Sequence, residues 1–133
     1  MDRPHIRVVS AEIARDGAYL ITRRRADAVL PGLWEFPGGR VREGETDAEA
    51  LARCLLDRVG ERPDVGGAVL EVVHDYEAYR LTLIVLAASL RADQTPRPVN
   101  VAEVAWVAPD ALGDYEFPGA DQATVARLVA ALD

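Results

Sequence analysis

Lysine is absent from this 133-residue sequence and cysteine occurs once, at Cys54. A single cysteine excludes an intramolecular disulfide and any cysteine cluster for zinc, and only two histidines, His5 and His74, remain as soft ligands. No apolar run approaches the length of a membrane span, and the opening M-D-R-P-H-I-R has no signal-like apolar core. Repeats, low-complexity tracts and linkers are also missing. Positive charge is in deficit. The formal net charge is −7 and the pI is near 4.8, so the chain lacks the basic face that a DNA or RNA polymer or an anionic membrane requires. What is present is a chain that is 50% hydrophobic, long enough for one domain spanning 1–133 with its own core. These features lead to the expectation of a soluble, cytoplasmic protein whose ligand is small.

Trp34 to Glu61, W-E-F-P-G-G-R-V-R-E-G-E-T-D-A-E-A-L-A-R-C-L-L-D-R-V-G-E, organises the rest. It reads as strand, glycine turn, loop and helix. Gly38-Gly39 would let the backbone turn and approach a ligand closely. Thr46 followed by Glu49 is a capping box, Asp47 and Glu49 suit the positive end of the helix dipole, and Gly60 stands where the helix should stop. Ala48, Leu51, Ala52, Leu55, Leu56 and Val59 recur at helical spacing and are expected to face the core.

The stretch resembles a Nudix box, G-x5-E-x7-R-E-U-x-E-E-x-G-U, with Gly39, Glu45, Arg53, Leu55 and Gly60 at the required spacing. The resemblance implies that three glutamates on one helix face hold Mg²⁺. Here those positions are Cys54, Asp57 and Arg58, and the final aliphatic is Glu61. Magnesium is a hard ion bound through oxygen. The ligand set therefore contracts to Asp57 and, by resemblance, the Gly39 carbonyl, enough for one weakly held Mg²⁺ but not for a cluster. Arg53, four residues before Asp57, is placed to pair with it, and Glu45, Arg53 and Asp57 are the catalytic candidates. Two readings of the face stay open: a purely structural helix with Cys54 as a small hydrophobe and Asp57 in a surface ion pair, or a retained pocket in which the planar fork of Arg58 takes over the charge of the metal.

Along the chain, Ile6 to Arg15 and Tyr19 to Thr22 around Asp16-Gly17 predict a hairpin. Arg23-Arg24-Arg25 is either a solvated strand end or, by resemblance, the substrate mouth, with Arg23 or Arg24 touching base or phosphate. After Pro63 to Gly67, Ala68 to Asp75 and Tyr79 to Leu90 predict two strands, the second central because Leu81 to Leu86 is almost continuously apolar. His74 reads as a structural histidine. Arg80 faces surface solvent or, by resemblance, phosphate. Val104 to Val107 is a short strand, and Asn100 occupies the position at which nucleotide-hydrolysing relatives carry a further glutamate. Gln122 to Leu132 is the closing helix, with Val125, Leu128, Val129 and Leu132 as its core stripe. Asp121 either caps that helix or, since F-P-G-A-D resembles the segment of the MutT-like branch that reads a base edge, accepts from an exocyclic amine such as that of cytosine.

The element order predicts an α/β (α+β) fold, a mixed β-sheet sandwiched between helices. The resemblance implies a small phosphorylated ligand of nucleotide type, bound through Arg23, Arg24, Phe36, Arg58, Arg80 and Asp121. Three functions follow as alternatives: a nucleotide-pocket protein whose Mg²⁺-dependent hydrolysis is weak, lost or repurposed; a working nucleoside triphosphate pyrophosphohydrolase; or a binding domain that keeps only the fold.

Overall fold

In the computed structural model, residues 3–131 are described. An 11-residue strand, β1 (His5–Arg15), turns through Asp16 and Gly17, both at positive φ, into β2 (Ala18–Arg23). Two left-handed residues in succession make the turn that matches strand twist, and glycine takes the second place without steric cost. Next come β3 (Trp34–Glu35), β4 (Gly38–Arg40), α1 (Asp47–Val59), β5 (Asp64–Asp75), β6 (Arg80–Ser89), β7 (Glu103–Val107), a 3-10 turn (Pro109–Asp114), a second 3-10 turn (Gly119–Asp121) and α2 (Gln122–Ala130). The sheet is mixed. β1 runs parallel to β6, from His5 opposite Arg80 to Ile13 opposite Ala88, while β2, β4 and β5 join by antiparallel pairing and β7 extends the sheet along β2. β5 begins at Asp64, before the expected Ala68, because two register shifts between Val65 and Leu70 take up Gly66-Gly67 without ending the strand.

Alternation sorts the side chains into two layers. Val9, Ala11, Ile13, Ile84 and Leu86 point to α1 and pack on Ala50, Leu51, Leu55 and Val59. The neighbouring residues Val8, Leu83 and Val85 point the other way, toward Ala120. Ile21 and Phe36 pack with Phe117 and with Leu128 of α2. Helices thus cover both faces. As expected, β6 is the strand between β1 and β5, buried from Thr82 to Leu86. Among the described residues no helix is long and apolar enough to cross a membrane.

The Gly38-Gly39 pair is not a turn. Both residues belong to β4, opposite Ser10 and Val9, and neither has positive φ. Glycine is required at Gly38 for close approach within the chain, where a Cβ would lie 2.0 Å from the Val9 carbonyl oxygen; one at Gly39 would meet only side chains, 2.8 Å from Cys54 Sγ and 2.9 Å from both terminal nitrogens of Arg58.

α1 starts as its sequence demands. Thr46 Oγ1 accepts from the Glu49 N–H at 3.1 Å, Glu49 accepts from the Thr46 N–H at 2.9 Å, and Gly60 closes the helix at φ 77°. Thr46→Ala removes the acceptor of the Glu49 N–H, leaves that one donor orphaned and should cost about 1 kcal/mol, which urea denaturation would measure. The buried stripe is rotated from the expected one. Ala50 and Cys54 are buried, whereas Ala48 and Leu56 are exposed. In α2 the buried residues are Thr124 and Leu128; Val129 is exposed, and Leu132 lies outside the described residues.

Candidate functional site

A cavity of about 370 Å³ opens on the α2 side of the sheet, beside β4. Its apolar wall comes from Phe36, Leu81, Leu83, Tyr76 and Tyr79. Phe36 is fixed by stacking on Phe117 at 5.3 Å, and Tyr76 by stacking on Tyr79 at 4.9 Å and by accepting from the Ala120 N–H at 3.1 Å. His74 sits behind this wall, 4.5 Å from the Tyr76 ring, which suits the structural reading given to it.

Two carboxyls stand on the buried side. Asp121, at the end of its 3-10 turn, is only 8% exposed, and Glu35, brought in by the pairing of β3 with β2 opposite Thr22, has a side chain 17% exposed. Asp121 holds the N-cap position of α2 without capping it through its side chain. Its backbone is helical and its side chain makes no capping bond; the carboxyl instead accepts from the Phe36 backbone N–H inside the cavity. Burial and the adjacent Glu35 raise the Asp121 pKa well above the ordinary carboxylate value, with Arg24 and the Phe36 N–H opposing. Burial also raises Glu35, opposed by Arg24 and Arg58. Two buried like charges resist ionising together. Arg24 organises it: its guanidinium donates to Glu35 Oε1 at 2.8 Å and to the Val29 carbonyl, and its backbone is held by Leu33 and Gly32 across the loop 24–33. The triple arginine is therefore not one uniform solvated end. Arg23 is exposed and pairs with Glu103 at 2.9 Å, Arg25 pairs with Asp27, and Arg24 alone of the three lines the cavity.

The helix face arrives from the other side. Arg58 lines the cavity with its guanidinium against Gly39, and Arg40 lies on the same wall. Cys54, 2% exposed, is packed beside them, its thiol pushed up by burial more than neighbouring arginines lower it. Arg53 does not pair with Asp57. It donates to both oxygens of Glu45, at 2.7 and 2.9 Å, and to the Arg40 carbonyl, because the loop from Arg40 to Thr46 folds back along the helix and offers a bidentate acceptor. With the Arg42 N–H also donating, Glu45 is held down to about 2. Glu45 and Arg53 thus form a loop-to-helix brace. Asp57 is exposed and makes no ion pair among the described residues, contrary to the surface-pair reading; it accepts from Asn100 Nδ2 at 3.2 Å, and Asn100 Oδ1 accepts from Arg25 at 2.7 Å. Arg80 sits on the outer face with Asp75 at 2.6 Å, away from the cavity lining.

Of the residues singled out from sequence, the cavity brings together Arg24, Phe36, Gly39, Arg58 and Asp121. It leaves Arg23, Glu45, Arg53, Asp57 and Arg80 outside its lining. Glu35, Arg40 and the Tyr76–Tyr79 pair were missed. Glu35 had a signal: an acid between two aromatics in W-E-F must point opposite to them if that segment is a strand.

The donor set around the helix does not fit a magnesium cluster. Among the described residues no three histidine, cysteine, aspartate or glutamate side chains converge. Asp57 already receives an amide N–H, the thiol of Cys54 is buried in its neutral form, and Arg58 places a cation beside them. A hard divalent ion takes oxygen ligands and is repelled by that arrangement.

Residues 8–127 match the family model of the NUDIX domain. The chain is 44% identical over 61 residues to the CTP pyrophosphohydrolase of Escherichia coli K12, a match covering 46% of this chain and 45% of that protein, so it spans just under half of that relative's length. It is 30% identical over 108 residues to the 8-oxo-dGTP diphosphatase of the same organism, covering 81% and 83% of the two chains. The solution structure of the E. coli ORF135 protein superposes with a TM-score of 0.80 at 29% identity, over 98% of this chain and 91% of that one.

Proposed function

Because the chain belongs to the Nudix superfamily, in its MutT-like branch, we propose that it binds a nucleotide in this cavity and hydrolyses it slowly or not at all. The observation that carries this reading is the buried Glu35–Asp121 pair, braced by Arg24, beside the apolar wall of a cavity of nucleotide size. Phe36, Tyr76, Leu81 and Leu83 offer walls for a flat ring. The acid pair offers an acceptor for an exocyclic amine and, through whichever carboxyl holds the proton, a donor for an adjacent ring nitrogen. Cytosine presents that combination, and one relative is named for CTP.

Nudix hydrolases generally use a divalent metal such as Mg²⁺ to stabilise charge on the phosphates and to generate the attacking hydroxide. In this chain Cys54, Asp57 and Arg58 do not make a seat for it, so no step is assigned to one. What its own residues supply is binding: Arg24 orients Glu35, the Phe36 N–H orients Asp121, and the aromatic wall excludes water from the ring. A working pyrophosphohydrolase is the second reading, favoured by the enzymatic names of the relatives. A domain that keeps only the fold is the third, and a 370 Å³ cavity with polar groups on one side argues against it.

The experiment is calorimetric titration with CTP, dCTP, 8-oxo-dGTP and pyrophosphate, together with pyrophosphate release over a Mg²⁺ and Mn²⁺ series. Turnover should stay far below about 1 s⁻¹, the lower end of ordinary enzymes, and faster release would establish the hydrolase reading instead. Asp121→Ala should weaken the base-bearing ligands by about tenfold or more, the worth of a charge-assisted hydrogen bond, and leave pyrophosphate unchanged. Equal loss for both would remove the base-reading role.

A further inference from the structure

Arg58 and Arg40 differ from the other arginines near the site. Arg7, Arg23, Arg24, Arg53 and Arg127 each hold a carboxylate at 2.6–2.9 Å. The guanidinium groups of Arg40 and Arg58 have no hydrogen bond and no ion pair among the described residues, and both line the cavity. The setting is specific. Gly39 leaves space that Arg58 fills, with both terminal nitrogens 2.9 Å from where a glycine-to-alanine Cβ would lie, and the Arg58 carbonyl is anchored by the N–H groups of Val99 and Asn100. A cation in the last turn of α1 suits the helix dipole, but the dipole favours any lysine or arginine pointing to water. It does not account for a half-buried planar fork laid against a glycine strand at a cavity wall.

We infer that Arg58 and Arg40 form a phosphate-binding site that works without divalent metal. The ligand class is a diphosphate or triphosphate anion. Its source is a nucleotide if the base reading holds, and inorganic pyrophosphate shares the same chemistry. The reasoning runs from charge balance. A protein of net charge −7 binding a polyphosphate needs local compensation, and the usual divalent ions have no adequate ligands on α1. Arg58 stands at one of those ligand positions and offers parallel N–H donors matched to phosphate oxygens. Arg40 follows Gly39 directly and adds a second, exposed donor fork. The inference rests on the nucleotide reading only in that both use one cavity, and the probes below separate them.

The test is titration of wild type, Arg58→Gln and Arg40→Gln with pyrophosphate, deoxycytidine and dCTP in EDTA. Pyrophosphate should bind wild type without metal and more weakly as salt rises, because contacts this exposed are screened within about 8 Å at physiological ionic strength. Arg58→Gln should weaken pyrophosphate and dCTP by at least about tenfold and affect deoxycytidine less, only through the Arg58 charge that lowers Glu35. Arg40→Gln alters only an exposed side chain, keeps the fold, and should give a smaller loss of the same pattern. Pyrophosphate binding that needs added Mg²⁺ would overturn the inference, as would unchanged affinity in both variants. Loss of deoxycytidine and dCTP preference in wild type, with pyrophosphate binding intact and dependent on Arg58, would overturn the nucleotide reading and leave the phosphate site standing.

Discussion

Asp121→Asn is expected to raise the melting temperature by several degrees at pH 8 and by little at pH 4. The sign follows from the raised pKa of the buried carboxyl. A group that ionises at higher pH in the folded chain than in the unfolded one contributes its full stability below the unfolded value, near 3.8, and loses it as pH rises through the folded value. As pH rises the unfolded chain ionises freely, whereas burial and Glu35 both oppose ionisation in the folded protein. Asparagine keeps an oxygen to accept from the Phe36 N–H and removes the charge. The groups facing Asp121 are Glu35, Arg24 and the Tyr76 hydroxyl. Glu45, Asp47 and Asp75, all lowered by arginine partners, have the opposite slope and lose stability only as pH falls below the ordinary carboxylate range, so they do not mask the effect. Thermal melts from pH 4 to 8 measure it, and a constant difference across that range would show that Asp121 does not titrate in a buried site.

The elements that could be read directly are those whose causes are local. The Thr46–Glu49 capping box and the Gly60 stop depend on residues three or four apart, and Asp16-Gly17 dictates its own turn; each forms as its sequence requires. The continuous apolar run of β6 demanded cover on both faces, and α1 on one side and the Ala120 segment on the other supply it. What failed depended on contacts distant in sequence. Gly38-Gly39 has the same letters whether the backbone turns or another strand approaches it, and only the Val9 carbonyl decides. Arg53 had two acids within reach, and the fold of the 40–46 loop selected Glu45 over Asp57. Asp121 at a helix start is the usual picture of a cap, yet the 3-10 turn before it aims the side chain into the cavity. The contact between Asn100 and Asp57 is the converse case. It brings the loop before β7 onto the helix face through two side chains far apart in sequence.

The same helix face carries the largest expected functional change. Cys54→Glu combined with Arg58→Glu should give a protein that binds Mg²⁺ more tightly than wild type and releases pyrophosphate from nucleoside triphosphates on the order of 100-fold faster, since a bound metal is worth several kcal/mol to charge developing in phosphoryl transfer. Positions 54, 57 and 58 lie three and four apart on one helix face, and Asp57 is already exposed there. Both changes are needed together. Cys54→Glu alone puts a carboxylate into a buried niche next to the Arg58 guanidinium, and the two would pair with each other instead of with a metal. Arg58→Glu alone leaves Cys54 as a buried thiol and withdraws a positive charge that lowers Glu35. With both, the space against Gly39 vacated by the guanidinium admits the longer side chain at 54. The double variant should also lose pyrophosphate binding in EDTA, because the metal-free site has been removed. Titration with Mg²⁺, followed by a release assay with and without EDTA, measures both halves. If affinity for Mg²⁺ does not rise in a variant that melts as cooperatively as wild type, this helix face is not where the chain would hold a metal.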